Sequence, residues 1–498
     1  MKILCKILCA ALVLAGLLTP VRALSPEEQA ILDSCKYNQE TDLSDFEMTQ
    51  ADLNKLFHRL MDQGDLPWYT TEQYQYTYNE ADGMIQSFTP GTLSDAYDRV
   101  LYEEKLAELM EQCIHPGMTQ AEIALSVHDK LILMSRYDET LQKNTAYDLL
   151  INGSTVCNGY TVLYRDILNR AGVPCISVSS VSMEHTWNMV QLDGQWYHAD
   201  LTWDDPTPDM IGVVRHDYFL LTDAQISSGQ KPHYNWPPTV SSTDDRYRLA
   251  YWRDLNSPVL FPGDENAWYL IEEDLAYRLV KRDLSTGEET LMFRENTPTV
   301  LDLGQGGDYT YLHTGLSLRD GRLYFGTLNK VHSMDLEGNM RTEYEFDTDS
   351  TRRYIYSCYA QDDTLYLMTA THDGDMKEMQ VPLEPTEGKH IHSYTRTEIP
   401  ATCRDPGCVV SQCDCGLRLE SQWSLLPHSY APTSHDDGHT REACTVCGAI
   451  RITGTVTVET VPVTQDDPLP SLSRKPLLFI IPGCALLLLP LLFGRKRR

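Results

Sequence analysis

The chain is short of positive charge. Lysine and arginine total 41 of its 498 residues against 71 aspartates and glutamates, a formal charge of −30. Phosphate backbones are held by clustered Lys and Arg, so this balance argues against a nucleic acid as partner and for a solvated acidic exterior. A glycine-rich phosphate loop is also missing, so nucleotide chemistry is not expected. Charge-free apolar runs are confined to the two ends. Ile7 to Leu18 follows Lys2 and Lys6 and precedes Pro20, Val21 and Ala23, which predicts a secretory signal over 1–23 and a mature chain starting near Leu24. Cys5 and Cys9 lie too early in that run for lipoprotein cleavage. Pro476 to Phe493 carries no charge across eighteen residues and is flanked by Arg474-Lys475 and Arg495 to Arg498. That pattern predicts a transmembrane segment at 476–493 with a cytoplasmic tail at 494–498.

What is present is one chemically loaded window. It reads Gly153-Ser-Thr-Val-Cys157-Asn-Gly-Tyr160, then Glu184-His185-Thr-Trp187-Asn188, then Trp196-Tyr-His-Ala-Asp200. Tyr160, Leu163, Tyr164, Ile167, Leu168 and Ala171 recur at helical spacing, with Arg165, Asp166, Asn169 and Arg170 opposite, and Gly172 and Pro174 close the pattern. Cys157 therefore falls at or just before the first turn of an amphipathic helix. There the helix dipole and unsatisfied N–H groups favour a thiolate and offer an oxyanion hole. Cys175 to Val181 reads as a strand and His185 to Leu192 as a second. Asp193-Gly194 then predicts a hairpin to a returning strand, Gln195 to Thr202, that carries Asp200. This order suits an acyl-transfer triad: Cys157 as nucleophile, His185 as general base and acid, Asp200 fixing the imidazole tautomer. His198, two residues before Asp200, is the rival histidine. Trp187, Trp196 and Trp203 read as core, and Asp204-Asp205-Pro206 as a hydrogen-bonded turn.

From Thr119 to Trp236 these residues resemble the transglutaminase-like superfamily, whose bacterial members are similar to papain-type cysteine proteases. The resemblance is carried by Tyr137-Asp138, Ala146-Tyr147, Val156 to Tyr160, Ala171 to Pro174, His185 to Asn188, Asp193 to Tyr197, Asp200 to Pro206 and Tyr218 to Leu221. It implies an α+β, papain/transglutaminase-like catalytic core over 119–237 with Cys157, His185 and Asp200 in the same three roles, and no cofactor for catalysis.

Around that core the chain divides further. Residues 24–118 read as a helical N-terminal region with a tyrosine-rich strand-like patch, Tyr74 to Tyr78, and a helix from Leu93 to Cys113. Thr119 to Glu122 is a capping box opening a helix through Met134. Past Trp236-Pro237-Pro238, the segments Trp268 to Ile271, Leu323 to Phe325 and Leu365 to Met368 predict a β-rich, propeller-like repeat domain at 245–385, with too few units to close a propeller. Residues 390–452 hold six of the fourteen cysteines and form a Cys/His-rich module. His428, His439 and the knuckle Cys444-Thr-Val-Cys447 suit a structural zinc, with disulfides as the alternative in an oxidising exterior. The first half, with His392, Cys403, Cys408, Cys413 and Cys415, has the tighter Cys-x-Cys spacing. Residues 453–475 read as a linker. Leu469-Pro470-Ser-Leu-Ser473 occupies the position of a sortase signal but lacks Thr-Gly, which favours a retained membrane anchor. The arrangement resembles a Gram-positive surface protein on the outer face of the cell membrane, acting on peptide, protein or cell-wall substrates. A non-enzymatic adhesion or binding protein on the same fold is the second class.

Overall fold

The computed structural model describes residues 24–461, apart from 64, 80, 94–95, 208, 229–230, 238–239, 274–275, 295–314, 348–352, 372–374, 385–389, 391, 404–406, 423–428, 437–438, 449 and 454–455. The expected signal at 1–23 and the expected membrane span at 476–493 lie outside these residues. Among the described residues no helix is long and apolar enough to cross a membrane. The described residues form two compact units, 24–104 with 393–461, and 105–392.

The first unit opens with α1 (Pro26–Tyr37). Its start is fixed by the Ser25/Glu28 capping box with Pro26 at the first helical position, and its end by Asn38 in the left-handed conformation. β1 (Thr41–Asp42), α2 (Gln50–Gln63), β2 (Thr70–Asn79), β3 (Ile85–Thr92) and the start of α3 (Ala96–Cys113) follow, α3 running on into the second unit after Glu104. Ile31, Leu53, Phe57, Leu60, Tyr74 and Phe88 form the buried cluster between helices and sheet. The tyrosine patch of this region belongs to a full sheet. That sheet has the order β1-β3-β2-β26, and its last strand, Val456–Val461, comes from the stretch expected as a linker. β2 has its other edge open for pairing, and Tyr74 aligns with Val461.

In the second unit α4 (Gln120–Leu133) starts at the expected capping box, Thr119 with Glu122. β4 (Arg136–Tyr137), α5 (Ala146–Asn152), β5 (Ser154–Thr155) and α6 (Cys157–Arg170) follow, then β6 (Cys175–Ser180), β7 (His185–Leu192) and β8 (Gln195–Ala199). The short α7 (Leu201–Asp204), β9 (Phe219–Leu221) and α8 (Asp223–Ile226) complete this part. β6-β7-β8-β9 form an antiparallel sheet. α6 buries Tyr160, Leu163, Tyr164, Ile167 and Leu168, and the Tyr164 hydroxyl donates to the Ala124 carbonyl of α4 at 3.0 Å. Asp193 and Gly194 both have positive φ, the tight turn that joins β7 to β8.

The rest of the second unit is three antiparallel meanders. They are β10 (Asn266–Glu273), β11 (Ala276–Asp283) and β12 (Glu289–Arg294); β13 (Leu316–Arg319), β14 (Arg322–Gly326), β15 (Lys330–Asp335) and β16 (Met340–Glu345); and β17 (Arg353–Gln361), β18 (Thr364–Thr371) and β19 (Met376–Pro382). The three apolar segments expected as strands lie in β10, β14 and β18. The first unit gains two smaller meanders, β20 (Tyr394–Ile399), β21 (Cys408–Cys413) and β22 (Arg418–Gln422), then β23 (Tyr430–Asp436), β24 (His439–Cys444) and β25 (Ile450–Thr453).

Candidate active site

Cys157 is the first residue of α6, and no side chain caps that helix end. Two contacts hold the turn in place. Asn158 Nδ2 donates to the Asn144 carbonyl at 2.8 Å, and Gly159 lies so close to the preceding strand that a Cβ there would sit 2.0 Å from Thr155 Oγ1 and 2.6 Å from the Thr145 carbonyl. Only glycine admits that approach, which explains the Cys157-Asn158-Gly159 sequence in terms of packing.

His185 opens β7, directly after Glu184 in the left-handed conformation. Its Nε2 lies 2.6 Å from Asp200 Oδ2, which leaves the other ring nitrogen free to serve the thiol. Burial works against a charge on this imidazole, but the Asp200 carboxylate and the Cys157 side chain outweigh it and raise its pKa to about 10. His185 is 8% exposed and Asp200 1%, while Cys157 is partly open to solvent.

Asp200 departs from the sequence expectation in one respect. The returning strand stops at Ala199, and Asp200 is the N-cap of α7, its Oδ1 accepting from the Thr202 and Trp203 amides at 3.0 and 3.3 Å. A carboxylate that satisfies the first N–H groups of a helix ends the strand it follows. Asp200 therefore spends one oxygen on the backbone and the other on imidazole. Despite its burial, these partners hold it well below the usual carboxylate range.

The second oxygen also receives His233, whose Nε2 is 2.8 Å away and which is fully buried. Sequence reasoning missed this residue. It lies in an irregular proline-containing stretch with no periodicity, and its one readable mark is the pair of aromatic neighbours, Tyr234 and Trp236. Trp203, expected as plain core, stacks on the His185 ring at 5.3 Å with an interplanar angle of 21° and lies 4.1 Å from the His233 ring. An open cleft of about 730 Å³ borders His233 and is lined by Pro232, Tyr234, Trp236, Val240 and Asp223.

His198 is drawn into different work. Its Nδ1 accepts from the Trp187 indole at 2.9 Å and its Nε2 faces Asp223 at 2.9 Å, and burial lowers its pKa to about 4. Both nitrogens are occupied, so it is not available to the thiol. Asp204 and Asp205, expected in a hydrogen-bonded turn, are buried: Asp204 meets His128 at 3.1 Å and Asp205 accepts from the Tyr160 hydroxyl at 2.5 Å. The expected polar face of α6 is likewise interrupted by Arg165, which is 7% exposed and reaches Ser177 Oγ on β6.

Of the residues expected as metal ligands, Cys444 and Cys447 come together with Cys403. His428 and the side chain of His439 lie outside the described residues.

The fold and the site together define a mixed α/β domain in which a cysteine at a helix start faces a buried His–Asp pair. Residues 107–201 match the model of the transglutaminase-like superfamily, and this segment of the chain is a transglutaminase-like domain. Two curated relatives are similar to the chain. Kyphoscoliosis peptidase of Mus musculus is 29% identical over 93 residues, 15% of this chain and 14% of the relative, and kyphoscoliosis peptidase of Homo sapiens is 25% identical over 164 residues, 28% and 25%. The chain thus spans a quarter or less of the length of these relatives. A solved structure described as a TGase is 13% identical, covering 27% of this chain and 44% of its own, with a TM-score of 0.18, too low to bear on the fold.

Proposed function

We propose that the 105–392 unit is a cysteine acyltransferase of the hydrolytic kind, a peptidase or amidase acting through a Cys157 thioester. The observation that carries this reading is the division of labour on His185: one ring nitrogen bound to Asp200, the other left to Cys157 at the start of α6. The Cys157 sulfur, its proton already held on His185 as the imidazolium that the Asp200 carboxylate stabilises, attacks the carbonyl carbon of an amide. The imidazolium then protonates the departing amine as the C–N bond breaks, leaving the thioester. Water, deprotonated by the now neutral His185, attacks the thioester carbon, and the C–S bond breaks to release the carboxylic acid and return the sulfur to its place beside the protonated His185. The N–H groups of the first turn of α6 are the candidate donors to the oxyanion. Asp200 keeps the imidazole in one tautomer and stabilises its charged form, and His233 braces Asp200 from behind.

A lysine amine in place of water would make the same thioester a cross-link. The names of the two relatives, both peptidases, support hydrolysis, as does the partial exposure of Cys157 to solvent. Incubating the chain with a mixed protein substrate and a fluorescent primary amine separates the two outcomes. New N-termini without amine incorporation is the expected result, whereas incorporated amine without new N-termini would reverse the assignment. Neither product, with a folded protein, would favour an adhesion or binding role for the domain.

A further inference from the structure

The two small meanders of the first unit have little apolar core of their own. β20 exposes Thr395 to Ile399, every residue but its first. What is buried instead is sulfur. Cys403 and Cys444 are 5% and 3% exposed, with Cys447 partly covered. Cys403 comes from the connection between β20 and β21. Cys444 ends β24 opposite Tyr430 of β23, and the turn after it returns Cys447 to the same place. That turn is closed by the Gly448 amide, which donates to the Cys444 carbonyl at 2.8 Å with φ at +76°, a conformation suited to glycine.

The three sulfurs lie within 4.8 Å of one another, and Cys403 Sγ is 3.7 Å from Cys444 Sγ. A disulfide needs about 2.05 Å between sulfurs. Thiolates on a tetrahedral zinc, each about 2.3 Å from the metal, stand about 3.8 Å apart. The observed separation is therefore that of an edge of a zinc–thiolate tetrahedron. Three thiols also cannot pair off as disulfides among themselves, whereas three thiolates and one further donor complete a zinc site.

We propose that Cys403, Cys444 and Cys447 bind one zinc ion that clips the first Cys-rich meander to the second. The ligand set differs from the sequence expectation in taking its third sulfur from the first half of the module, 41 residues before Cys444. Zinc then does for these sheets what an apolar core does for a larger domain: it closes the intervening loop and holds two three-stranded sheets together. Binding releases the thiol protons to solvent as three Zn–S bonds form, with no change of oxidation state.

The test is zinc analysis of the full chain, purified without chelator, with X-ray absorption at the zinc edge and mass spectrometry of the unreduced protein. Zinc with three sulfur neighbours at this site, and a fall of one ion per chain in Cys403→Ser, is the expected result. A folded wild-type chain free of zinc, a disulfide at any of the three cysteines, or unchanged zinc content in Cys403→Ser would overturn the proposal. Because the wild-type readings stand alone, a Cys403→Ser variant that fails to fold does not leave the question open.

Discussion

The 105–392 unit contains the same constellation twice, a carboxylate bridging two buried imidazoles. At Asp200 the partners are His185 and His233, at 2.6 and 2.8 Å. At Asp129 they are His128 and His216, at 2.7 and 3.0 Å. Both clusters raise the pKa of a histidine against the pull of burial, His185 to about 10 and His128 to about 9. Their surroundings differ. Asp129 Oδ2 takes the Val259 amide at 2.6 Å, His128 reaches on to Asp204, and His216 reaches the Leu255 carbonyl, so α4, α7 and the chain leading to the β meanders are tied by one sealed network. At Asp200 the outer end of the network is Cys157, partly open to solvent at the start of a fourteen-residue helix. A charged His–Asp pair is thus a general device for joining elements in this fold, and the thiol at its edge turns one copy into a candidate for chemistry.

Five variants would break or sharpen that comparison. Cys157→Ala should reduce amide turnover to background while the protein melts as wild type, measured by product release and thermal unfolding; residual activity would detach chemistry from the exposed cluster. His185→Ala should cost roughly 10²–10⁴-fold in turnover, the usual contribution of a general acid–base group. His198→Ala should cost far less, and the reverse ranking would move the base to the other histidine. Asp129→Asn should act on stability, by about 3–5 kcal/mol, since it removes the buried carboxylate that His128, His216 and the Val259 amide share. Denaturant unfolding measures that loss, and the activity per folded molecule should hold. His233→Gln should lower turnover by roughly 10-fold, the lower range for partners that orient a reacting group from behind. Its signature is a changed pH profile at constant melting temperature; an unchanged profile would make His233 packing only.

A further effect is in pH. His128 and His185 hold their protons more tightly folded than unfolded, so their contribution to stability is complete below about 6.5 and is lost as pH rises through about 9 and about 10. Asp200 has the opposite sense: its contribution is present above 3.8 and is lost as pH falls through its lowered folded value. His198, held neutral by burial with its pKa lowered to about 4, costs stability as pH falls below about 6.5, so melting temperature should peak near pH 6.5 and decline on both sides. An alkaline limb that stays level to pH 10 would show that neither pair holds charge in the folded state.

Local chemistry explains what the sequence made readable. The capping box at Thr119, the apolar stripe of α6 and the Asp193-Gly194 turn are each decided within a few residues, and each formed as expected. Asp200 was legible as a functional residue but not as a helix cap, because the amides it satisfies belong to Thr202 and Trp203, which read equally well as strand. His233 and Cys403 were illegible for another reason. Their partners stand 33 and 41 residues away, across irregular chain with no period to carry register. β26 is the extreme case: Val456–Val461 pairs with Tyr74 to Asn79 across most of the sequence, and only the open edge of β2 selects it.

The claim that Cys157 is an activated nucleophile is tested most directly by competitive labelling. The folded chain would be exposed to a limiting amount of a thiol-directed electrophile, and the modified cysteine located by peptide mapping in wild type and in His185→Ala. Modification of Cys157 ahead of every other cysteine, slowed severalfold or more without His185, is the predicted result. Labelling of Cys157 no faster than exposed Cys415, and indifferent to His185, would contradict it.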